Sequence, residues 1–399
     1  MAGARSNNND ARNGRTGRGL LQSFPIIVMM TLLVAALMAA PMLHAIWLGE
    51  WRVARTFFYH GAFWAVIAMM VGLALANRPP RRYAVRSLVI LLSCYAVLPA
   101  VMATPVEQLV PSITYSQAYF EMLSCLTTTG ATIFSDPAAI PDPVHLWRAL
   151  AGWTGGFMIL VAAVAVLEPL QLGGFEIQAS MSLRATQQMR SMGGRSEARQ
   201  RLLHSAGQIA PVYAALTGLL TVLLVIAGDR ALVALSHAFS VMSTSGITPL
   251  PSFSQAASGR IGEVIVFIFL LMVISRHSLR FFSGQNFARD PEYKLLLSVI
   301  LSLTALLFLR HFLAAIEVSE QEDFAAAATA LWGGLFNILS YISTTGFNSA
   351  DWESARNWSG LETPGLILLL LCMMGGGIAT TCGGVKLLRV YALYKHGTR

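Results

Sequence analysis

The chain has 399 residues, 55% of them hydrophobic and 12% charged, about half the charged share of a soluble domain, which excludes an ordinary water-soluble globule and implies an integral membrane protein. The net charge of +8 does not imply a nucleic-acid partner, because the arginines fall in short connections between apolar runs rather than along one face. Cys94, Cys125, Cys372 and Cys382 sit in apolar or glycine-rich stretches without a C-x-x-C pair, so they read as small packing residues rather than a disulfide framework or a zinc site.

Residues 1–22 are polar, with Arg5, Arg12, Arg15 and Arg18, and lead into an apolar run too long for a cleavable signal; they read as a basic cytoplasmic tail. Runs of spanning length follow near 25–48, 57–77, 86–104, 147–170, 208–227, 260–276, 293–315 and 363–392, giving about eight spanning helices. Connections bearing Arg78, Arg81, Arg82 and Arg86, then Arg184, Arg190, Arg195, Arg199 and Arg201, then Arg276, Arg280, Arg289 and Lys294 all fall on one side in that count. The alternate connections carry Asp136 and Asp142, or Glu317, Glu320, Glu322 and Asp323. By the positive-inside rule the amino terminus is cytoplasmic. Trp147, Arg148 and Trp153, at the start of a span, read as interfacial anchors. Glu168, near an inner end, has no assigned role.

Three further segments, at 112–132, 231–248 and 324–348, are helix-length but too short and polar to cross fully, and each ends in a hydroxyl-glycine turn. The turns are Thr128-Thr129-Gly130, Thr244-Ser245-Gly246 and Thr344-Thr345-Gly346. The unit is span, half-helix, turn, span, used three times. One such turn alone is more simply a helix C-terminal cap. Three on the same side, each after a half-helix, predict irregular backbone lining a wet path. Carbonyls in such a turn can replace the water around a monovalent cation, and the carbonyl end of each half-helix favours that charge. Glu121 and His237, inside the first two half-helices, read as hydrogen-bonding anchors rather than cation ligands. His237 and Ser240, three apart, raise the alternative of an intramembrane hydrolase, but no H-E-x-x-H and no oxyanion-hole pattern accompany them, and the chain reads as no enzyme.

The stretches AYFEMLSCLTTTGAT, LWRALAGWTGGFMILVAAVAVLEPLQLGG, STTGFNSADW and GGGIATTCGGVKLLR resemble the TrkH-type subunit of the Trk/Ktr/HKT superfamily of potassium transporters, over most of the chain from about residue 25 onward. The resemblance implies an all-α membrane fold in which two extra helices (23–82) precede membrane–pore–membrane repeats: a first at 83–172, a cytoplasmic basic loop at 173–205, a second at 206–282 and a third at 283–399. It implies a potassium filter at Thr128, Thr129, Gly130, Thr244, Ser245, Gly246, Thr344, Thr345 and Gly346, with glycine at these positions associated with potassium over sodium. It also implies a gate where the last span is interrupted by Gly375, Gly376, Gly377, Thr380, Thr381, Gly383 and Gly384, with Lys386 just inside and Cys382 where the family often has glycine. Each interior glycine costs a helix roughly 1 kcal/mol, so that span is expected to unwind; close packing on small residues is the alternative. A phosphate-binding loop is excluded there, since Val385 separates the glycines from Lys386 and Leu387 stands where Ser or Thr is required.

The family has four repeats, and a fourth turn at this spacing would fall about 100 residues beyond Thr344, past residue 399. Expected partners are membrane lipid, further copies of the chain, a separate chain supplying a fourth repeat and, as the resemblance implies, a cytosolic nucleotide-binding regulatory ring docked on the basic 184–201 segment and the carboxy-terminal end. The resemblance implies potassium as the transported ion, with no other cofactor or metal and no nucleic acid expected. The implied location is a bacterial inner membrane. The alternative to potassium uptake is a truncated, non-conducting or regulatory relative.

Overall fold

The computed structural model describes residues 24–75, 84–167, 198–275, 291–314, 324–360, 364–377 and 380–397, and these contain helices and no strand. The basic tail, Glu168, most of the basic connections including 184–197, and the acidic connection with Glu317, Glu320, Glu322 and Asp323 lie outside the described residues. Seven described helices are long and apolar enough to cross a membrane. Their outer faces carry exposed Phe58, Phe63, Leu92, Val222, Ile226, Leu301 and Leu306. So much exposed apolar surface on so many helices is what a lipid solvent permits and water does not.

The chain divides into two compact units, Met1–Leu109 and Val110–Arg399. The boundary falls inside the expected first repeat, between its spanning helix and its half-helix. The first unit holds α1 (Ile26–Leu37), α2 (Ala39–Trp47), α3 (Trp51–Leu75) and α4 (Ala84–Leu109). Helix α3 packs on α1 and α2, and α4 packs on α1 and α3. Between α3 and α4, Trp64 Nε1 donates to Thr104 Oγ1 (3.2 Å) and His60 bonds Gln108 (2.8 Å). Polar side chains in apolar helices thus find one another.

The second unit contains α5 (Tyr115–Leu126), α6 (Asp142–Ala162, running on as a π turn over Ala163–Leu167), α7 (Ala198–Ile226), α8 (Ala231–Ser243), α9 (Gly259–Val273), α10 (Pro291–Ala314), α11 (Phe324–Ile342), α12 (Trp352–Trp358), α13 (Gly365–Met374) and α14 (Leu387–Gly397). Helix α5 starts on a capping box: Gln117 N donates to Thr114 Oγ1, and Thr114 N donates back to Gln117 Oε1. Helix α8 is the centre of the unit, packed by α6, α7 and α9, while α11 is packed by α9, α10, α12 and α13. The core around them is built on Tyr213, Leu220, Leu224, Val241, Leu270, Phe336 and Leu339.

Two expectations change, and the break expected in the last span is present. Helix α11, expected to be a half-helix, runs 19 residues and its apolar stretch Ala325–Ile342 is long enough to span, because its alanine-rich start extends the helix backwards. The expected span at 363–392 is two helices, α13 and α14, separated at the glycines as their propensity predicts. Trp147, Arg148 and Trp153 are not interfacial anchors. Trp147 is 0% exposed, Arg148 is buried against Glu121, and Trp153 donates to Thr217 Oγ1 and stacks on Tyr213. Proximity to a span's start does not tell which way a side chain faces.

Candidate functional site

Helices α5, α8 and α11 end in one seven-residue pattern, Ser-x-x-[Ser/Thr]-Thr-[Ser/Thr]-Gly, at 124–130, 240–246 and 340–346. The backbone repeats with it. Thr128, Thr244 and Thr344 have φ of 57°, 50° and 60°, and they are the non-glycine residues with positive φ among the described residues. Gly130, Gly246 and Gly346 follow at 72°, 68° and 78°. A left-handed residue with a side chain is strained by about 1–2 kcal/mol, so three at one register mark an imposed shape.

The amides of each turn fold back onto the helix that precedes it. Thr129 N donates to Ser124 O (2.9 Å), Ser245 N to Ser240 O (3.0 Å) and Thr345 N to Ser340 O (3.0 Å). Hydroxyls brace the same corner, in the pairs Thr127–Thr129, Ser243–Ser245 and Ser343–Thr345, each at 2.9 Å.

The three turns stand side by side. A β-carbon on Gly130 would collide with the carbonyl oxygen of Ser245, and one on Gly246 with that of Thr345. The order is therefore first, second, third. Exposure agrees: Thr244 and Ser245 of the middle turn are 1% and 2% exposed, whereas Thr129 and Gly346 on the outer turns are exposed. At Gly346 a β-carbon would meet nothing within 4 Å. Helix α6 stands close to the first two turns. A β-carbon on Gly155 would collide with the Leu126 carbonyl, one on Gly156 would reach Ser243 Cα at 2.9 Å, and one on Gly152 would reach Ile247 Cδ1 at 2.7 Å.

The glycine-rich break after α13 lies against these turns. Gly383 N donates to Thr344 Oγ1 (2.9 Å), and Thr244 Oγ1 donates to Thr381 Oγ1 (3.0 Å). Two of the three left-handed threonines thus hold it directly. The break is folded on itself: Val385 N donates to Met373 O (2.7 Å), Thr380 Oγ1 to Gly377 O (2.7 Å) and Lys386 Nζ to Cys382 O (2.6 Å). Gly377 N ties it to Ile274 O at the end of α9 (3.1 Å). At Gly375, φ is 50° and a β-carbon would collide with the Gly383 carbonyl. All nine residues expected at the turns and Gly375, Gly376, Gly377, Thr380, Thr381, Gly383, Gly384 and Lys386 are therefore in one contiguous region.

Buried polar side chains tie down the strand after each turn. Glu121 accepts from Ile133 N (2.9 Å), from Thr132 Oγ1 (3.1 Å) and from Arg148 Nε (2.7 Å). His237 Nε2 bonds Thr248 Oγ1 (2.9 Å), and Ser240 pairs with Ser245 rather than with the ring. Asn337 accepts from Ser349 N (2.8 Å) and donates to Asn348 (3.0 Å). Glu263 of α9 crosses to the third strand, accepting from Ala350 N (2.6 Å), Ser349 Oγ (2.7 Å) and Trp332 Nε1 (2.8 Å). Asn337 and Glu263 were missed in the sequence; the signal for Asn337 is its place nine residues before a turn glycine, shared with Glu121 and His237. On the loop before α8, burial alone would push the Asp229 carboxyl up, but the His237 ring 3.9 Å away and two bonds from Ser258 outweigh this and hold it below the ordinary range.

Comparison with known proteins identifies a family. The profile of the TrkH family, described as cation transport protein, matches residues 60–399. The chain is 29% identical over 294 residues to the Trk system potassium uptake protein TrkH of Salmonella typhimurium, covering 72% of this chain and 57% of that protein. It is 27% identical over 390 residues to the protein of the same name from Halomonas elongata, covering 96% and 69%. The crystal structure of the potassium transporter TrkH from Vibrio parahaemolyticus superposes with a TM-score of 0.73 at 24% identity, covering 94% of this chain and 74% of that one. The chain thus spans 57% of the length of the Salmonella relative. With the family profile covering most of its length, the chain belongs to the TrkH family of cation transport proteins.

Proposed function

We propose that the chain is a pore subunit for potassium uptake, in which the three turns form part of a filter and the glycine break is the gate. The observation that carries the reading is the side-by-side order of three left-handed turns of one pattern, each at the carbonyl end of a helix. Main-chain oxygens held so closely can replace an ion's water, and the helix ends add about half a negative charge each. Filter residues are Thr128, Thr129, Gly130, Thr244, Ser245, Gly246, Thr344, Thr345 and Gly346. The gate is Gly375–Gly384 with Lys386, because it bonds the filter threonines and must part from them for an ion to pass. An inside-negative potential drives entry with ~2.3 kcal/mol per 100 mV for each charge moved. The exposed Gly346 flank is where a fourth turn would complete the ring, and the setting is a bacterial inner membrane with the amino terminus inside.

Rubidium uptake in a potassium-auxotrophic host tests this, with the chain expressed alone and together with the neighbouring reading frame. Uptake that disappears in Gly130→Asp supports the proposal. No uptake under either condition favours a non-conducting, regulatory relative.

A further inference from the structure

Behind each turn the same position does the same work with different chemistry. Glu121, His237 and Asn337 each lie nine residues before the turn glycine, and each is 0% exposed. Each bonds the side chain two residues after that glycine: Thr132, Thr248 and Asn348 respectively. Glu121 and Asn337 also take the amide three residues after it, from Ile133 and Ser349. The turn is thereby pinned at both ends, by the serine amide bonds on the helix side and by this residue on the strand side.

We propose that Glu121, His237 and Asn337 are positioning residues that fix the height and spacing of the three turns, and so set the preference for a potassium-sized over a sodium-sized ion. The inference rests on the pore reading above. On the size-based account of selectivity, a carbonyl cage discriminates between ions by resisting collapse onto the smaller one. Resistance must come from what the strand is fastened to, and this trio is the fastening that recurs at all three turns, Glu263 adding to it at the third. Three chemistries satisfy one geometric demand: a carboxylate whose charge is met by Arg148, an imidazole edge-on to the mutually stacked rings of Phe253 and Phe347, and a neutral amide. What is repeated is the hydrogen bond to the strand, not the residue type.

The test is the ratio of rubidium to sodium uptake by the full chain in cells stripped of other potassium routes, with any required neighbouring frame co-expressed. Asn337→Leu keeps the branched shape and His237→Leu the approximate volume, both remove the bond, and each should lower the ratio by up to about tenfold, the scale of one net hydrogen bond. Glu121→Gln and His237→Gln keep a partner for the strand and should hold the ratio within about threefold. Thr248→Val breaks the His237 bond from the half-buried strand side and should lower the ratio even if the apolar core variants do not fold. Ratios unchanged in Thr248→Val and in whichever leucine variants fold, with both uptakes cut equally, overturn the proposal and leave the pore reading standing. A wild-type chain that takes up neither ion overturns the pore reading, and this inference with it.

Discussion

At Gly246 two constraints coincide: a φ of 68°, and a neighbouring carbonyl, that of Thr345, where a β-carbon would stand. Gly346 has the first constraint, at 78°, without the second. The two alanine variants therefore separate backbone strain from collision. Gly346→Ala should lower the stability of the purified chain by the left-handed penalty of about 1 kcal/mol, and Gly246→Ala by at least 2 kcal/mol more, since backbone on both sides must give way. Thermal denaturation in detergent reads the order directly, and equal shifts would mean that the turns do not abut. The Glu121–Arg148 pair gives a second residue-scale expectation. Both side chains are buried, so Glu121→Ala leaves an unpaired guanidinium inside and should cost roughly 3–5 kcal/mol, whereas the double variant Glu121→Ala/Arg148→Ala should recover part of that loss.

Helices behave here as spacers whose small residues set how closely turns approach. On α6, Gly155 touches the end of α5 backbone to backbone, while Gly218 on α7 would offer a β-carbon open space. Gly155→Ala should push α5 away and destabilise the chain by about 2 kcal/mol or more, and Gly218→Ala should stabilise it by about 0.5–1 kcal/mol through helix propensity. The same scale governs the glycine break. Thr381→Val deletes the bond from Thr244, a net contribution of about 1 kcal/mol to the closed arrangement, so initial rubidium uptake should rise roughly fivefold if the break is the gate. A rate that stays level or falls removes the gate assignment. Much of this was legible beforehand: the hydroxyl-glycine turns stood out by repetition, the split of the last span followed from its glycines, and Glu121 and His237 behave as the anchors they were read to be. What escaped were directions and partners. Trp147 and Arg148 look the same in sequence whether they face lipid or protein, and the Glu263 bond to Ser349 joins residues too far apart for any local pattern to reveal.

For the whole molecule, the informative asymmetry is that the middle turn is enclosed and the outer two are open. In the visible order, each turn's glycine faces the carbonyl of the residue before the glycine in the next turn. Continuing that rule one step places a fourth turn's carbonyl beside Gly346, so a working ring would give Gly346 the neighbour it lacks among the described residues. Gly346→Ala should then have two faces. In the purified chain alone it shows only the mild strain of about 1 kcal/mol. In cells that support rubidium uptake it should, if the ring is completed in this way, abolish transport as completely as Gly246→Ala does, a loss of at least tenfold, because the added carbon would then meet a fourth turn's carbonyl. Paired measurements of denaturation and uptake on the same two variants make the comparison internal. If Gly346→Ala transports at the wild-type rate while Gly246→Ala does not, the third turn's flank stays open during transport, and the ring is closed in some other way.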